Sequence, residues 1–342
     1  MSAEQFIAAK SDPAAEELAR RWIDLAHPRM GTEVTFATDD FFAPKERLIS
    51  PEPPIFVPGK YDDHGKWMDG WESRRKRTPG HDWCQIRLGQ RGRIRAFDID
   101  TSFFTGNYAP EAMIEAWDGE GEPPDDAAWT TLVGRRKLAG DSHHVIELDG
   151  ERSWTHLRLH MFPDGGIARL RVFGEVDVDW SAVDPNAEID LVSILNGGTA
   201  IAWNDAHYGS PANMLAPGRG ANMGDGWETA RRRVPGNDWS VLRLGHPGRI
   251  ARVLIDTCHF KGNYPDRFSL QAAMVEGDWD REAIGNQSEF WPTLLEETKL
   301  GADAEHEITE GIADLGPVSH VRLNIYPDGG VSRLRLFGRI AG

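Results

Sequence analysis

The sequence predicts an all-β protein made of two tandem, homologous domains, and two observations support this prediction. Residues 69–108 and 225–264 are identical at 23 of 40 positions, with a constant spacing of 156 residues. Short runs of alternating apolar and polar residues, separated by turns rich in Gly and Pro, fill both halves. Such half-buried strands are typical of antiparallel sandwiches or small barrels. With 342 residues, each half is long enough to bury its own core.

The N-terminus is the segment with a convincing helical pattern. Asp12 can cap a helix whose first turn contains Pro13, and Leu18 and Trp22 fall on one face. The second half shows no counterpart of this segment. We therefore predict an extension, residues 1–30, that packs on the body of the protein or on a neighbouring subunit.

A strand pattern follows in each half. Cys84, Ile86 and Leu88 alternate with polar residues, as expected for a half-buried strand. Gly92 predicts a turn, after which a second strand covers residues 94–100. The same pattern returns 156 residues later.

Each half closes with the sequence Pro-Asp-Gly-Gly, at residues 163–166 and 327–330. Proline fixes φ, aspartate can cap the backbone and glycine permits positive φ, so this sequence predicts a turn. The alternating segments on either side predict a hairpin. A stretch rich in Asp, Asn and Gly, residues 177–199, predicts a linker between domains at 31–176 and 200–342.

The composition argues against several classes of partner. With 38 basic and 54 acidic residues the net charge is −16, which disfavours nucleic acid. No apolar run approaches a membrane-spanning length, and the start lacks the pattern of a signal peptide. Cys84 and Cys258 stand at non-equivalent repeat positions and predict buried free thiols. We expect a cytoplasmic protein without membrane or nucleic-acid partners.

Polar residues retained in both copies are more informative than retained apolar ones, because a duplicated core needs only its apolar pattern. The motif Asp-Gly-Trp-Glu, Asp69 to Glu72 in the first copy, precedes a basic cluster that contains Arg75. Tryptophan beside these charges can form a stacking wall for a ligand. The alternative is that Trp71 and Trp227 pack in the core while the arginines pair with the glutamates.

A second group lies where a strand runs into a loop, the usual place for a site on a β scaffold. Asp100 and Asp256 begin this loop in the two copies. The second copy has His259 and Lys261 where the first has Phe and Thr. His81, by contrast, is an asparagine in the second copy. Both divergence of a catalytic site and neutral drift explain such differences.

Familiar catalytic motifs are absent from the sequence. It contains no GxSxG, HExxH, P-loop or GxGxxG motif. We predict no cofactor and no metal ligands, and a metal-assisted hydrolase remains an alternative.

Several long motifs resemble the allantoicase (allantoate amidinohydrolase) family. They are residues 39–46, 65–77, 81–83 and 98–110 in the first half and 224–228, 237–239 and 255–265 in the second. The resemblance implies two jelly-roll sandwiches similar to galactose-binding-like domains, and a homo-oligomer, often a trimer or hexamer. It also implies hydrolysis of allantoate to ureidoglycolate and urea, a step of purine and allantoin degradation.

Allantoate carries one carboxylate and two ureido groups on a single carbon, so its hydrolysis needs a cation, an acid for the departing urea and a base for water. We predict proton transfer by Glu72, His81, Glu228 and His259. We predict substrate binding by Asp69, Arg75, Asp100, Asn107, Asp225, Arg231, Asp256, Lys261 and Asn263, with arginine on the carboxylate and Asp and Asn on the ureido groups. His259 and Lys261 favour the second half. The alternative is a non-catalytic jelly-roll protein that binds a carbohydrate or another small ligand.

Overall fold

The computed structural model describes residues 6–277 and 279–341, and the chain divides into two compact units, one up to Asp177 and one from Val178. Antiparallel strands dominate both units. The all-β prediction is therefore confirmed. Of the described helices, none is long and apolar enough to cross a membrane.

Unit 1 consists mainly of short strands, with one long strand in the middle and one helix near the N-terminus. Its elements are β1 (Ile7–Ala8), α1 (Pro13–Arg21), β2 (Ile23–Asp24), β3 (Glu33–Ala37), β4 (Ile55–Phe56), β5 (Tyr61–Asp62), β6 (Gly65–Lys66), β7 (Trp71–Glu72), β8 (Asp82–Asp100), β9 (Glu111–Trp117), β10 (Thr130–Lys137), β11 (His143–Glu147), β12 (Ser153–Phe162), β13 (Gly166–Ile167) and β14 (Arg169–Val176), with 3₁₀ turns at Pro28–Met30 and Lys45–Ile49.

Unit 2 is also built around one long strand, and it has a helix between its fifth and sixth strands. Its elements are β15 (Ile189–Asp190), β16 (Thr199–Trp203), β17 (Trp227–Glu228), β18 (Asp238–Asp256), β19 (Arg267–Ala273), α2 (Arg281–Ser288), β20 (Thr293–Lys299), β21 (Glu305–Ile308), β22 (Val318–Tyr326), β23 (Gly330–Val331) and β24 (Arg333–Ile340), with 3₁₀ turns at Trp180–Ala182, Ile194–Asn196, Pro211–Leu215 and Met223–Asp225.

The two units share one sheet topology. In unit 1 the strand order is β10-β9-β12-β8-β14-β2, and β3 and β11 also pair with β8. In unit 2 the order is β20-β19-β22-β18-β24-β15, and β16 and β21 also pair with β18. The first half of β8 lies between β12 and β3, and its second half lies between β14 and β11. One long strand therefore contributes to both layers of the sandwich.

The predicted turn at Gly92 is wrong, because β8 continues through it. The glycines of this strand instead permit close approach of other backbone and side-chain atoms. A Cβ on Gly89 would lie 2.0 Å from the carbonyl oxygen of Met30, and one on Gly92 would lie 2.7 Å from a methyl of Leu25. The equivalent Gly248 is also inside a continuous strand.

The predicted closing hairpins are also wrong, although the turn itself is present. The strands before and after Pro-Asp-Gly-Gly do not pair with each other; β12 and β14 both pair with β8, and β13 pairs with β7. Gly165 has the expected positive φ of 134°. The next glycine, Gly166, is required for packing, since a Cβ there would lie 2.1 Å from the ring of Phe104.

The predicted N-terminal helix is confirmed as α1. The side chain of Asp12 accepts hydrogen bonds from the first-turn backbone, and a proline occupies that turn. Leu18 is buried with Ala96 and Phe173, and Trp22 packs against this cluster. The helix therefore packs on unit 1 itself.

Strand pairing links parts of the predicted extension and of the predicted linker to the two domains. β2, within residues 1–30, pairs with β14, and β15, within residues 177–199, pairs with β24 in the same way. The extension thus has a partial counterpart in unit 2, contrary to the sequence-based interpretation. The domain boundaries themselves stay predictions.

Candidate active site

In each unit, one segment winds around the Pro-Asp-Gly-Gly turn. In unit 1 we call residues 72–82 the wrapping segment. Ser73 N–H donates to the Gly165 carbonyl at 3.0 Å, and Lys76 N–H donates to the Asp164 carboxylate at 2.7 Å. Unit 2 has the same bonds in residues 228–238. The backbone of this segment is therefore held by the turn in the same way in both copies.

A buried ion pair fixes the end of each wrapping segment. The Asp82 carboxylate accepts from Lys76 Nζ at 2.5 Å and from the Thr38 hydroxyl at 2.8 Å. In unit 2, Asp238 accepts from Arg232 Nη1 at 2.6 Å and from an asparagine amide. These aspartates are fully buried, so their role is to hold the segment in place.

The predicted glutamate and asparagine meet at the start of this segment. Asn107 Nδ2 donates to Glu72 Oε1 at 2.8 Å, and Asn263 Nδ2 donates to Glu228 Oε1 at 2.6 Å. Burial raises the pKa of Glu72, the nearby Asp62 adds to this, and the bond from Asn107 opposes it. Because a raised pKa favours the protonated carboxylic acid, Glu72 is suited to donate a proton.

The tryptophans of the repeated motif belong to the core. Trp71 and Trp227 are fully buried. Their indole N–H groups donate to the carbonyls of Asp39 and Asp205, each at 2.9 Å. They therefore cannot serve as an exposed stacking wall.

The arginines of the same motif are not paired with the glutamates. Arg75 and Arg231 are both exposed. Among the described residues, neither makes a hydrogen bond or an ion pair. The alternative that these arginines neutralise Glu72 and Glu228 is wrong, and both guanidinium groups are available for an anionic ligand.

Asp69 and Asp225 form ion pairs with buried arginines of their own units. Asp69 Oδ2 lies 2.8 Å from Nη2 of Arg169, and Asp225 Oδ2 lies 2.8 Å from Nη2 of Arg333. Both arginines are almost fully buried and also donate to backbone carbonyls. The two carboxylates supply the countercharge for buried guanidinium groups.

Asp100 and Asp256 close the loops that they begin. Asp100 accepts from Ser102 N–H at 2.7 Å, and Asp256 accepts from Cys258 N–H at 2.8 Å. Asp256 Oδ2 also lies 3.0 Å from Arg219 Nε. These bonds compete with the predicted binding of ureido groups.

Asp100 also faces a cavity of about 450 Å³ between α1 and the sheet. There His143 Nδ1 lies 2.8 Å from Asp98 Oδ2, and this contact raises the pKa of His143 to about 9. Asp98 Oδ1 is buried without a partner among the described residues. Burial raises the pKa of Asp100.

His259 and Lys261 stabilise their own loop. His259 Nε2 lies 2.9 Å from the carbonyl oxygen of Gly220, and its backbone N–H donates to Asp303. Lys261 is exposed, with Nζ 4.0 Å from the Asp303 carboxylate. In the part of the chain that the structure describes, neither residue makes a hydrogen bond or an ion pair with Glu228.

His81 is part of a chain of three titratable side chains. His81 Nε2 lies 2.9 Å from His160 Nδ1, and His160 Nε2 lies 3.1 Å from Glu115 Oε2. We call these three residues the His81 chain. Burial lowers the pKa of His81, with Lys76 as the next cause. Burial, with smaller effects of His81 and Arg158, lowers the pKa of His160 to about 4.

Sequence reasoning missed His160 and Glu115. The alternation of β12 places His160 on the side of the strand opposite Leu159 and Met161, which the sequence does indicate. Its contact with His81 depends on the pairing of His160 with Trp83, which no local pattern shows.

Across residues 6–277 and 279–341, no three His, Cys, Asp or Glu side chains are grouped in a way that could hold a metal ion. Both cysteines are free and buried, as predicted.

The fold and these contacts define a tandem β-sandwich protein. In each repeat the glutamate of the wrapping segment accepts from an asparagine of a later loop, and an unpaired arginine lies on the same segment. The family profile described as allantoicase repeat matches residues 23–177 and 189–341. The chain belongs to the allantoicase family, which confirms the family and the fold class predicted from the sequence.

Individual relatives agree with this assignment. The protein named "Probable allantoicase 2" of Burkholderia pseudomallei is 56% identical over 331 residues, which cover 96% of this chain and 98% of that one. "Probable allantoicase" of Photobacterium profundum is 54% identical over 319 residues, covering 93% and 96%. A crystal structure of allantoicase from Saccharomyces cerevisiae matches with a TM-score of 0.76 at 34% identity, covering 98% of this chain and all of that one.

Proposed function

We propose that this chain hydrolyses allantoate to ureidoglycolate and urea at the wrapping segment of unit 1. The observation that carries the proposal is the Glu72 carboxyl group, whose pKa is raised by burial and which lies three residues from an unpaired, exposed arginine. This combination places a proton donor and a cation that can bind a carboxylate on one short segment.

Glu72 acts as the acid. Its Oε1 accepts the hydrogen bond from Asn107, so the proton of the neutral carboxyl group is carried by Oε2. Transfer of that proton to the departing urea nitrogen assists cleavage of the C–N bond. Activity should therefore fall as pH rises through the raised pKa of Glu72.

Arg75 binds the carboxylate of allantoate. A guanidinium group presents two parallel N–H donors that match a carboxylate, and a free arginine gives up no existing bond to bind it. The ureido groups of allantoate offer N–H and C=O groups that the amide of Asn107 can read.

His81 acts as the base. It takes a proton from water, whose oxygen bonds to the central carbon. The electron pair of the broken C–N bond goes to the urea nitrogen, which receives the proton from Glu72. Exchange with solvent then restores both residues, and the balance is one water consumed for each urea released.

Unit 1 is preferred over unit 2 for this reaction. The two residues that favoured unit 2, His259 and Lys261, are directed to Gly220 and Asp303 within their own loop. The counterpart of His81 there is Asn237, which cannot act as a base.

Glu72→Gln tests the assignment, because glutamine can still accept from Asn107 but cannot donate the acid proton. We expect kcat for urea release to fall by about 10²–10⁴-fold. Glu228→Gln is the matched control in unit 2 and should leave kcat within about twofold of the wild type. Full activity in both folded variants would contradict the proposal, and the reverse ranking would move the site to unit 2.

Arg75→Ala tests substrate binding. It should raise KM for allantoate with little change in stability, because the exposed side chain makes no hydrogen bond or ion pair that the fold would lose. Arg231→Ala is its control. An unchanged KM in Arg75→Ala would show that another cation holds the carboxylate.

The two alternatives from the sequence have direct tests. A carbohydrate-binding protein would bind simple sugars saturably without releasing urea from allantoate, but Trp71 and Trp227 are buried and cannot stack on a sugar. A metal-assisted hydrolase would lose activity to a chelator and regain it with a divalent ion.

We further propose that the protein acts in the cytoplasm as a homo-oligomer, a trimer or a hexamer. Two free thiols agree with a reducing compartment, and the subunit number is the one that the family resemblance implies. Light scattering of the purified protein measures its mass directly, and a monomer would contradict the second part of the proposal.

A further inference from the structure

The His81 chain has a counterpart in unit 2 that keeps its geometry and lacks its titratable groups. Strand register places Asn237, Asn324 and Gln271 at the equivalent positions. Asn237 Nδ2 donates to Asn324 Oδ1 at 3.4 Å, and Asn324 Nδ2 donates to Gln271 Oε1 at 3.0 Å. The fold therefore accommodates either three titratable side chains or three amide side chains at these positions.

The direction of the hydrogen bonds in unit 1 follows from elimination. An ionised Glu115 carboxylate only accepts, so His160 Nε2 carries a hydrogen. The low pKa of His160 keeps its ring neutral at pH 7, which leaves Nδ1 as an acceptor. His81 Nε2 must therefore donate, as Asn237 does in unit 2. In neutral His81 the remaining nitrogen, Nδ1, carries no hydrogen and has a lone pair that can accept one.

That nitrogen has no hydrogen-bond partner among the described residues. The His81 ring is only half-buried. The ring packs on Phe162, with centroids 4.3 Å apart, which limits its rotation. A histidine held in one tautomer with one free nitrogen is the arrangement that general-base catalysis requires.

We infer that His160 and Glu115 are positioning residues that hold His81 with a bare Nδ1 toward the substrate, and so restrict the general base to unit 1. The inference rests on the proposed function. When His81 takes the proton of water, its Nε2–H still donates to His160, which still donates to Glu115. The carboxylate then stabilises the new imidazolium through the intervening ring.

Other charges around His81 affect the same step. Lys76 and Arg135 oppose the positive charge on His81, while Asp82 and Glu115 favour it. Arg158 likewise opposes a positive charge on His160 and so lowers its pKa. Of these charged groups, Glu115 is the one that is hydrogen-bonded to His160, so removal of its charge should have the clearest effect.

Two variants replace a residue of the His81 chain by its counterpart in unit 2. His81→Asn copies unit 2 and should lower kcat for urea release by about 10²–10⁴-fold without a matching change in KM. Glu115→Gln keeps the hydrogen bond and removes only the charge. It should lower kcat and move the acid limb of the kcat–pH profile to lower pH, because the charge that raises the pKa of His81 is lost. A purely structural role for Glu115 would leave that limb in place.

His160 is tested by a pair of substitutions. His160→Leu removes the acceptor for His81 Nε2–H and should lower kcat, while His160→Asn should recover much of the loss because the asparagine oxygen can accept, as Asn324 does. Nitrogen-15 NMR of the His81 ring should show the Nε2–H tautomer in the wild type and in His160→Asn, and a tautomer mixture in His160→Leu.

These experiments distinguish failure of this inference from failure of the proposed function. Wild-type activity in folded His81→Asn would overturn both this inference and the assignment of His81 as the base. An unchanged tautomer and kcat in His160→Leu would overturn this inference alone, while Glu72→Gln still tests the proposed acid. Failure of the wild-type protein to release urea from allantoate would overturn the proposed function itself.

Discussion

Replacement of Asp69 by alanine should destabilise unit 1 without altering contacts to the substrate. The Arg169 side chain is 3% exposed, and Asp69 Oδ2 lies 2.8 Å from its Nη2. At this separation and an effective dielectric constant of about 20, the Coulomb energy is about 6 kcal/mol before desolvation is counted. Removal of one partner of a buried pair costs about 3–5 kcal/mol in practice.

The remaining bonds of Arg169 do not offset this loss. Its guanidinium also donates to the carbonyls of Glu52 at 3.0 Å, Asp69 at 3.1 Å and Ala168 at 2.7 Å. These carbonyls satisfy hydrogen bonds but supply no countercharge. Burial already lowers the pKa of Arg169, and Asp69 opposes that shift. We therefore expect Asp69→Ala to lower the free energy of unfolding by about 3–5 kcal/mol, out of the roughly 5–15 kcal/mol typical of a domain.

Urea unfolding followed by fluorescence measures the stability change, and kcat and KM for allantoate are measured where the variant is folded. Asp225→Ala, which removes the partner of Arg333, is the matched variant for unit 2. We expect the KM of folded Asp69→Ala for allantoate to equal that of the wild type. Wild-type stability together with a tenfold higher KM would refute the reasoning and restore the substrate-binding role predicted from the sequence.

Three further predictions concern stability. Folded-state pKa values of about 4 for His160 and His320, against 6.5 when unfolded, mean that the unfolded state binds more protons. Each histidine should therefore lower the free energy of unfolding of its unit by up to about 3 kcal/mol as pH falls from 6.5 to 4. Equal midpoints of urea unfolding at pH 7 and pH 4.5 would contradict this. His143, with its pKa raised to about 9, should stabilise unit 1 fully below pH 6.5 and lose that contribution as pH rises to 9; His143→Asn should flatten this limb in thermal unfolding at pH 7 to 9.5. Gly166→Ala would place a Cβ 2.1 Å from a buried phenylalanine ring and should cost about 1–3 kcal/mol, whereas Gly106→Ala, which meets nothing within 4 Å, should be nearly neutral by calorimetry.

The repeat made much of the architecture predictable. The polar residues retained at a constant spacing made Glu72 and Asn107 candidate site residues in both copies, and the structure shows that each copy joins its glutamate to its asparagine. Helix α1 was predictable because its cap and its apolar face are local features, separated by only a few residues.

Errors arose where one residue type serves several purposes. Gly92 is inside a strand and Gly166 lies under a phenylalanine ring, yet both were interpreted through turn geometry. A sequence shows that a side chain is missing but not which neighbour occupies the space. The same limit applied to the motif tryptophans, for which packing and ligand stacking remained equal alternatives.

The sequence by itself determined the class of this protein: two related β-sandwich repeats, with carboxylates, amides and arginines kept at matching positions. Only the tertiary structure decided which of these groups remain available for chemistry. Asp69 is paired with an arginine 100 residues away, and the His81 chain joins a residue of the wrapping segment to residues of β12 and β9. Such contacts depend on the register of paired strands, a property of the folded chain that local patterns do not encode. Register therefore separates the aspartates that stabilise the fold from the histidine that we propose as the base.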